Sequence, residues 1–186
     1  MPNIFLTSDL HLCHDREFLF KPRGFDSIDD MNNAIVNNWN TTVNTDDEVY
    51  ILGDIMLNDN EKAMELLKTL NGRIHIILGN HDTDNRVQLY NTLPQVIDIK
   101  WADMLNYNKF HFFLSHFPSL TGSLEHEYLR QMTLNLFGHT HSKNRFYNDM
   151  PYMYNVAMDA HGCTPVHIDQ IIEEMKSKII ECKNML

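Results

Sequence analysis

Five times along this chain a short apolar run stops at a glycine or serine and is followed at once by Asp, Asn or His. Ile4-Phe5-Leu6 leads to Ser8-Asp9-Leu10-His11, and Val49-Tyr50-Ile51-Leu52 leads to Gly53-Asp54. Ile74 to Leu78 leads to Gly79-Asn80-His81-Asp82, Phe110 to Leu114 leads to Ser115-His116, and Leu134 to Phe137 leads to Gly138-His139-Thr140-His141. Each run reads as a buried strand ending in a tight turn. Open α/β sheets keep their ligands at the carboxyl ends of strands, so the repeated pattern predicts one site fed by several strands.

The residues so delivered are Asp9, His11, Asp54, Asn80, His116, His139 and His141. They offer imidazole nitrogens and hard oxygens but no thiolate, a mixture suited to Mn, Fe, Ni or Zn. Seven donors exceed one tetrahedral ion and suit two divalent ions sharing a carboxylate. Cys13 stands between His11 and His14, but the nitrogen and oxygen set is complete without it, so it is read as a turn residue.

The order D-x-H, G-D, G-N-H-D, H, G-H-x-H, spread from Asp9 to about Asp159, resembles the calcineurin-like metallophosphoesterases. Each motif is weak alone; five in order, each after an apolar run, are specific. The small single-domain phosphoesterases of bacteria and phages are the most similar. They open with T-S-D-x-H-x-x-H, here Thr7 to His14, and close with N-V-x-x-D-x-H…P-V, here Asn155 to Val166.

The resemblance implies a four-layer α/β/β/α sandwich of two mixed β-sheets flanked by helices. It implies one ion on Asp9, His11, Asp54 and His141, and a second on Asp54, Asn80, His116 and His139, with Asp54 bridging. It further implies attack on phosphorus by a hydroxide bridging the ions, with His81 protonating the leaving oxygen or hydrogen-bonding the transition state, and Asp82 orienting the His81 imidazole. His14, Arg23 and Asn80 are the expected substrate contacts, and Asp159 and His161 the expected supports of the ligands. One departure bears on substrate. Gly53-Asp54-Ile55-Met56-Leu57-Asn58-Asp59 lacks the arginine of the protein Ser/Thr phosphatase pattern G-D-x-V-D-R-G, which argues against phosphoproteins.

Composition narrows the partners. The chain has 186 residues and a formal net charge of −10. That length suits one domain, 1–186, with a sizeable core. The anionic field disfavours extended duplex nucleic acid and leaves small phosphate esters or nucleotides as the expected substrates. No apolar run reaches membrane-span length, and Met1-Pro2-Asn3 lacks the features of a signal peptide, which predicts a cytoplasmic protein. Cys13, Cys163 and Cys182 are odd in number and are expected to be reduced.

Between the motifs, Ser27 is a predicted N-cap of a helix that buries Ile28, Met31, Ile35 and Trp39. Asn58 to Asn60 cap a second helix ending at Asn71-Gly72, and two strand–helix–strand units predict parallel pairing. A short helix is expected over Asp84 to Tyr90. Val96 to Trp101 and Phe110 to Leu114 are read as antiparallel strands around an Asn106-Tyr107-Asn108 turn. Residues 118 to 131 are read as a loop with one helical turn, Tyr152 to Val156 as a strand, and Asp169 to Cys182 as the last helix. His75, His111, His126 and His167 are read as ordinary residues.

The reading that follows is a dinuclear phosphodiesterase or phosphatase acting on small nucleotide-like substrates. The alternatives are a nuclease on short or single-stranded ends, and a non-catalytic scaffold of the same fold.

Overall fold

The computed structural model describes residues 2–121 and 129–184. His126 and half of the expected 118–131 loop, residues 122–128, therefore lie outside the described residues; Leu129–Gln131 form one helical turn.

The first half of the chain alternates strand and helix: β1 (Ile4–Thr7), α1 (Glu17–Phe20), α2 (Ile28–Thr42), β2 (Glu48–Leu52), α3 (Asn60–Leu67), β3 (Arg73–Ile77), α4 (Asp84–Tyr90) and β4 (Val96–Lys100). β1, β2, β3 and β4 pair in parallel, as alternating strand and helix dictate. α2 starts where Ser27, in extended backbone, accepts the Asp30 N–H with its hydroxyl. Its Met31, Ile35 and Trp39 are fully buried, each worth about 1.5–3 kcal/mol of transfer free energy. They pack with Ala63 and Leu67 of α3 against Val49, Ile51, Ile74 and Ile76 of the sheet. The Trp39 indole donates to Asn71 O, tying this helix to the turn after α3.

The second half builds the second sheet from β5 (Ala102–Tyr107), β6 (Phe110–Ser115), β7 (Thr133–Phe137) and β8 (Met153–Asn155). β5 and β6 are antiparallel; β6, β7 and β8 are parallel. β9 (Val166–His167) then returns antiparallel to β1, and α5 (Ile168–Asn184) follows. The two sheets run in the orders β4-β3-β2-β1-β9 and β5-β6-β7-β8. Leu6, Leu52 and Ile77 of the first face Phe112, Leu114, Leu134 and Leu136 of the second, with Ile171, Ile172 and Met175 of α5 in the same core. The architecture is mixed α/β, two mixed sheets with flanking helices, as expected.

Two details correct the sequence reading. Val96–Lys100 is not the hairpin partner of Phe110–Ser115; it extends the first sheet beside β3. The partner is Ala102–Tyr107, and the turn is Asn108-Lys109, both with positive φ (48° and 68°), the geometry a two-residue hairpin turn requires. The short β9 was not foreseen. Among the described residues no helix is long and apolar enough to cross a membrane.

Candidate metal centre

Each of the five expected strands ends at the same edge of the sandwich, and the turns beyond them interlock. Asp9 N donates to Gly53 O, His11 N to Asp54 O, and Gly138 N to His116 O. The turns approach so closely that side chains cannot intervene. A Cβ on Gly79 would lie well inside van der Waals contact with Asp54, and one on Gly138 would run into Ser8 and the Asp9 carboxylate. Glycine is required at both positions for space.

The interlocking brings all seven expected donors together in two overlapping groups. In one, His11 Nε2 lies 3.1 Å from His141 Nε2. Asp9 Oδ1 lies 3.8 Å from His11 Nε2 and 3.7 Å from His141 Nε2. In the other, His116 Nε2 lies 3.0 Å from Asn80 Oδ1 and 3.2 Å from His139 Nδ1. Asp54 Oδ2 stands between them, 3.8 Å from His11 Nε2 and 3.5 Å from His116 Nε2. Asp9, Asp54 and His116 also form a compact triad.

The hydrogen-bond chemistry fits divalent cations. His116 Nδ1 can only donate to the Leu52 carbonyl, at 2.8 Å, which leaves the Nε2 lone pair facing the Asn80 oxygen. His141 Nδ1 donates to Asp159 Oδ2 at 3.1 Å, which turns its Nε2 lone pair towards His11. Asp9 Oδ2 accepts from the Ser8 hydroxyl and from His139 N–H, yet Oδ1 is buried without any partner. Lone pairs aimed at one another, beside an orphaned buried carboxylate oxygen, are what a cation between them would satisfy.

Charge in the cluster is finely opposed. Burial raises the Asp9 pKa, but His11, His116 and His141 outweigh it and hold the carboxyl below its ordinary value. Burial pushes His11 and His139 down, keeping their nitrogens free to bind metal. His141 is raised, because hydrogen bonding to Asp159 and the charge of Asp9 outweigh its burial. Asp159 is likewise held low by His141 and Arg23 against its burial.

Other expectations change. Arg23 is not available to grip a phosphate: its side chain is only 2% exposed and clamps Asp159 with two bonds, 3.0 and 2.7 Å. It also donates to Asp9 O and Leu10 O, so it holds the first turn in shape. Asp82 does not orient the His81 imidazole. Its carboxylate accepts from Asp54 N, Gly79 N and the Tyr90 hydroxyl, each at 2.8 Å, and from Ile55 N. A buried carboxylate needs such partners, and these leave none for His81. Asp159 supports His141 as expected, whereas His161 bonds Asn155 O and stacks towards Tyr154, away from the donors.

His81 sits at the rim with its side chain 43% exposed, Nε2 3.9 Å from Asp54 Oδ2, and its backbone N–H donates to Asp54 Oδ1. His14 lies beside His11, ring centroids 5.4 Å apart. Burial and the neighbouring His11 and His81 push its pKa down to about 4. Sequence reasoning missed Ser8, Tyr90 and Arg86, whose guanidinium binds the His81 carbonyl. Only Ser8, adjacent to Asp9 in the opening motif, carried a local signal.

Residues 3–156 match the calcineurin-like phosphoesterase superfamily domain. An uncharacterized protein of Methanocaldococcus jannaschii is 32% identical over 193 aligned positions, covering 100% of this chain and 99% of its own. The gene 66 protein of Mycobacterium phage D29 is 29% identical and covers 89% of this chain and 93% of its own. A solved protein of unknown function from Aquifex aeolicus shares the fold with a TM-score of 0.69 at 22% identity, covering 93% of this chain and 99% of its own. With the motifs, the strand-end geometry and the family match in agreement, the chain belongs to the calcineurin-like phosphoesterase superfamily.

Proposed function

We propose that this protein hydrolyses small phosphate esters, phosphodiesters foremost, with two divalent ions such as Mn, Fe, Ni or Zn. The observation that carries the reading is the meeting of two donor groups at Asp54 Oδ2, with Asp9 Oδ1 buried and unpartnered beside them. Asp9, His11, Asp54 and His141 would hold one ion, and Asp54, Asn80, His116 and His139 the other. Such ions lower the pKa of water and neutralise charge on phosphoryl oxygens.

The chain's own residues supply the rest. The Leu52 carbonyl and Asp159 fix the tautomers of His116 and His141, so their Nε2 atoms stay aimed inward. Asp82 holds the Asp54 and Gly79 turns in register, which sets the carboxylate that both ions would share. His81, exposed at the rim, would protonate the departing ester oxygen. Asn80 reaches the same rim and would hydrogen-bond a phosphoryl oxygen, while His14 borders the substrate side. No cap domain covers this edge among the described residues, which suits a diester reached from the side.

The test is hydrolysis of bis(4-nitrophenyl) phosphate against 4-nitrophenyl phosphate, with Mn, Ni, Zn or chelator and with His81→Ala alongside. Diester turnover that chelator abolishes and His81→Ala weakens supports the reading. Monoester preference makes the protein a nucleotide phosphatase, and no turnover with any metal overturns the reading in favour of a scaffold.

A further inference from the structure

Beside the His11 and His141 half of the centre lies a cavity of about 510 Å³. Phe18, Leu19, Pro22 and Leu57 form its apolar wall, His14 stands at its side, and His11, His81 and His141 line it where it meets the centre. The volume is in the range of small-molecule pockets, and the mostly apolar lining with a few polar groups at one end is their usual composition. Phe18 is 73% exposed, unusual for a phenylalanine with an apolar cavity beside it, and its ring stands edge-on to His14 at 5.7 Å. It comes from α1, the short helix of the loop between β1 and α2, so this wall is built by a segment that carries none of the metal donors.

The lining specifies its occupant. Among the described residues no lysine or arginine lines the cavity, so a second phosphate or a carboxylate would find no counter-charge there. The carboxylate that lines it among the described residues, Asp159, is already paired with Arg23 and His141. Flat apolar groups, Phe18 and Pro22, instead offer faces to a planar ring. Because His11, His81 and His141 border both the cavity and the centre, a group seated here is joined to the reacting phosphorus by a short link. Resting on the phosphoesterase reading above, we infer that this cavity is an ester-group pocket that takes an uncharged planar ring, a nucleobase, of a substrate whose phosphate lies on the metal centre. The protein would then select nucleoside esters over sugar or alkyl phosphates of equal charge.

Adenosine 5′-phosphate and ribose 5-phosphate differ in the base alone, so calorimetric titration of each into the manganese-loaded protein isolates the pocket. The adenosine ester is expected to bind about tenfold tighter or more, the usual worth of one base on an aromatic side chain. Phe18→Ala should collapse that ratio towards unity, and Leu57→Glu should do the same by placing a charge on the wall. Ile180→Ala, an exposed apolar change on α5, should leave it intact. Equal binding of the two esters, or no binding of either, overturns the pocket. Diester turnover with equal binding would remove the pocket alone. A base-dependent ratio without any turnover would keep the pocket and remove the catalytic reading.

Discussion

Asp9, His11, Asp54, His139 and His141 all have φ between 48° and 67°, the left-handed region. Such strain costs about 1–3 kcal/mol per residue, less for Asp and His than for branched side chains. It breaks the extended backbone just beyond each strand, so that D-x-H and H-x-H leave the sheet edge as tight turns. The strain predicts a separation of stability from function. His139→Gly relieves the backbone at an exposed position, so the metal-free protein should melt no lower than the parent while turnover is lost. Thermal melts in chelator, with activity on the diester, check both halves. Asp54→Asn keeps size and backbone tolerance but removes the shared charge. It should cut turnover by about a hundredfold or more and abolish the rise in melting temperature that manganese gives the parent. Retained turnover would remove Asp54 from the bridging role.

At the scale of elements, the site is a set of strand ends held by two buried clamps, one an ion pair and one a carboxylate hydrogen-bonded to amides and a phenol. Arg23 and Asp159 fasten the loop after β1 to the loop after β8, and Asp82 fastens the turns after β2 and β3 to α4 through Tyr90. The Tyr90 hydroxyl is held far above its ordinary pKa by burial and by Asp82, so it remains a donor. Tyr90→Phe keeps the fully buried ring and deletes one bond to a carboxylate. Urea unfolding should show a loss of about 1.5–3 kcal/mol, with turnover changed far less than in Asp54→Asn. The misread hairpin belongs to this scale too. From Val96 to Tyr107 the chain passes from one sheet to the other at Trp101 with no Gly or Pro to mark the change. Local periodicity identifies a strand there but not its partner.

For the whole molecule, the site's histidines couple folding to pH. In metal-free protein the folded state holds His14 at about 4, against 6.5 for the free side chain. Unfolded chains therefore take up the proton first as pH falls, and stability declines from about 6.5 towards 4. His11 and His139, also pushed down, add to the decline, while His141, pushed up, offsets part of it. Below that window Asp9 and Asp159, both held low, lose their contribution as they gain protons. A melting series from pH 7.5 to 4 in chelator should show this fall, and His14→Gln should flatten it. Much of this was legible beforehand. The donors, their order, the parallel first sheet, the Ser27 cap and the helix over Asp84 to Tyr90 all follow from short-range pattern, because strand, cap and turn chemistry act within a few residues. The roles of Arg23 and Asp82 were not legible. Nothing local tells a substrate-binding arginine from one that pairs with Asp159, 136 residues away, or says that a carboxylate beside His81 will be claimed by amides near residue 54. The amino-acid sequence by itself determined which atoms could bind metal and that strand ends would carry them. Only the tertiary structure decided which lone pairs meet, which charges are spent as clamps, and that an apolar cavity opens beneath Phe18, because each depends on distant segments approaching within a few ångströms.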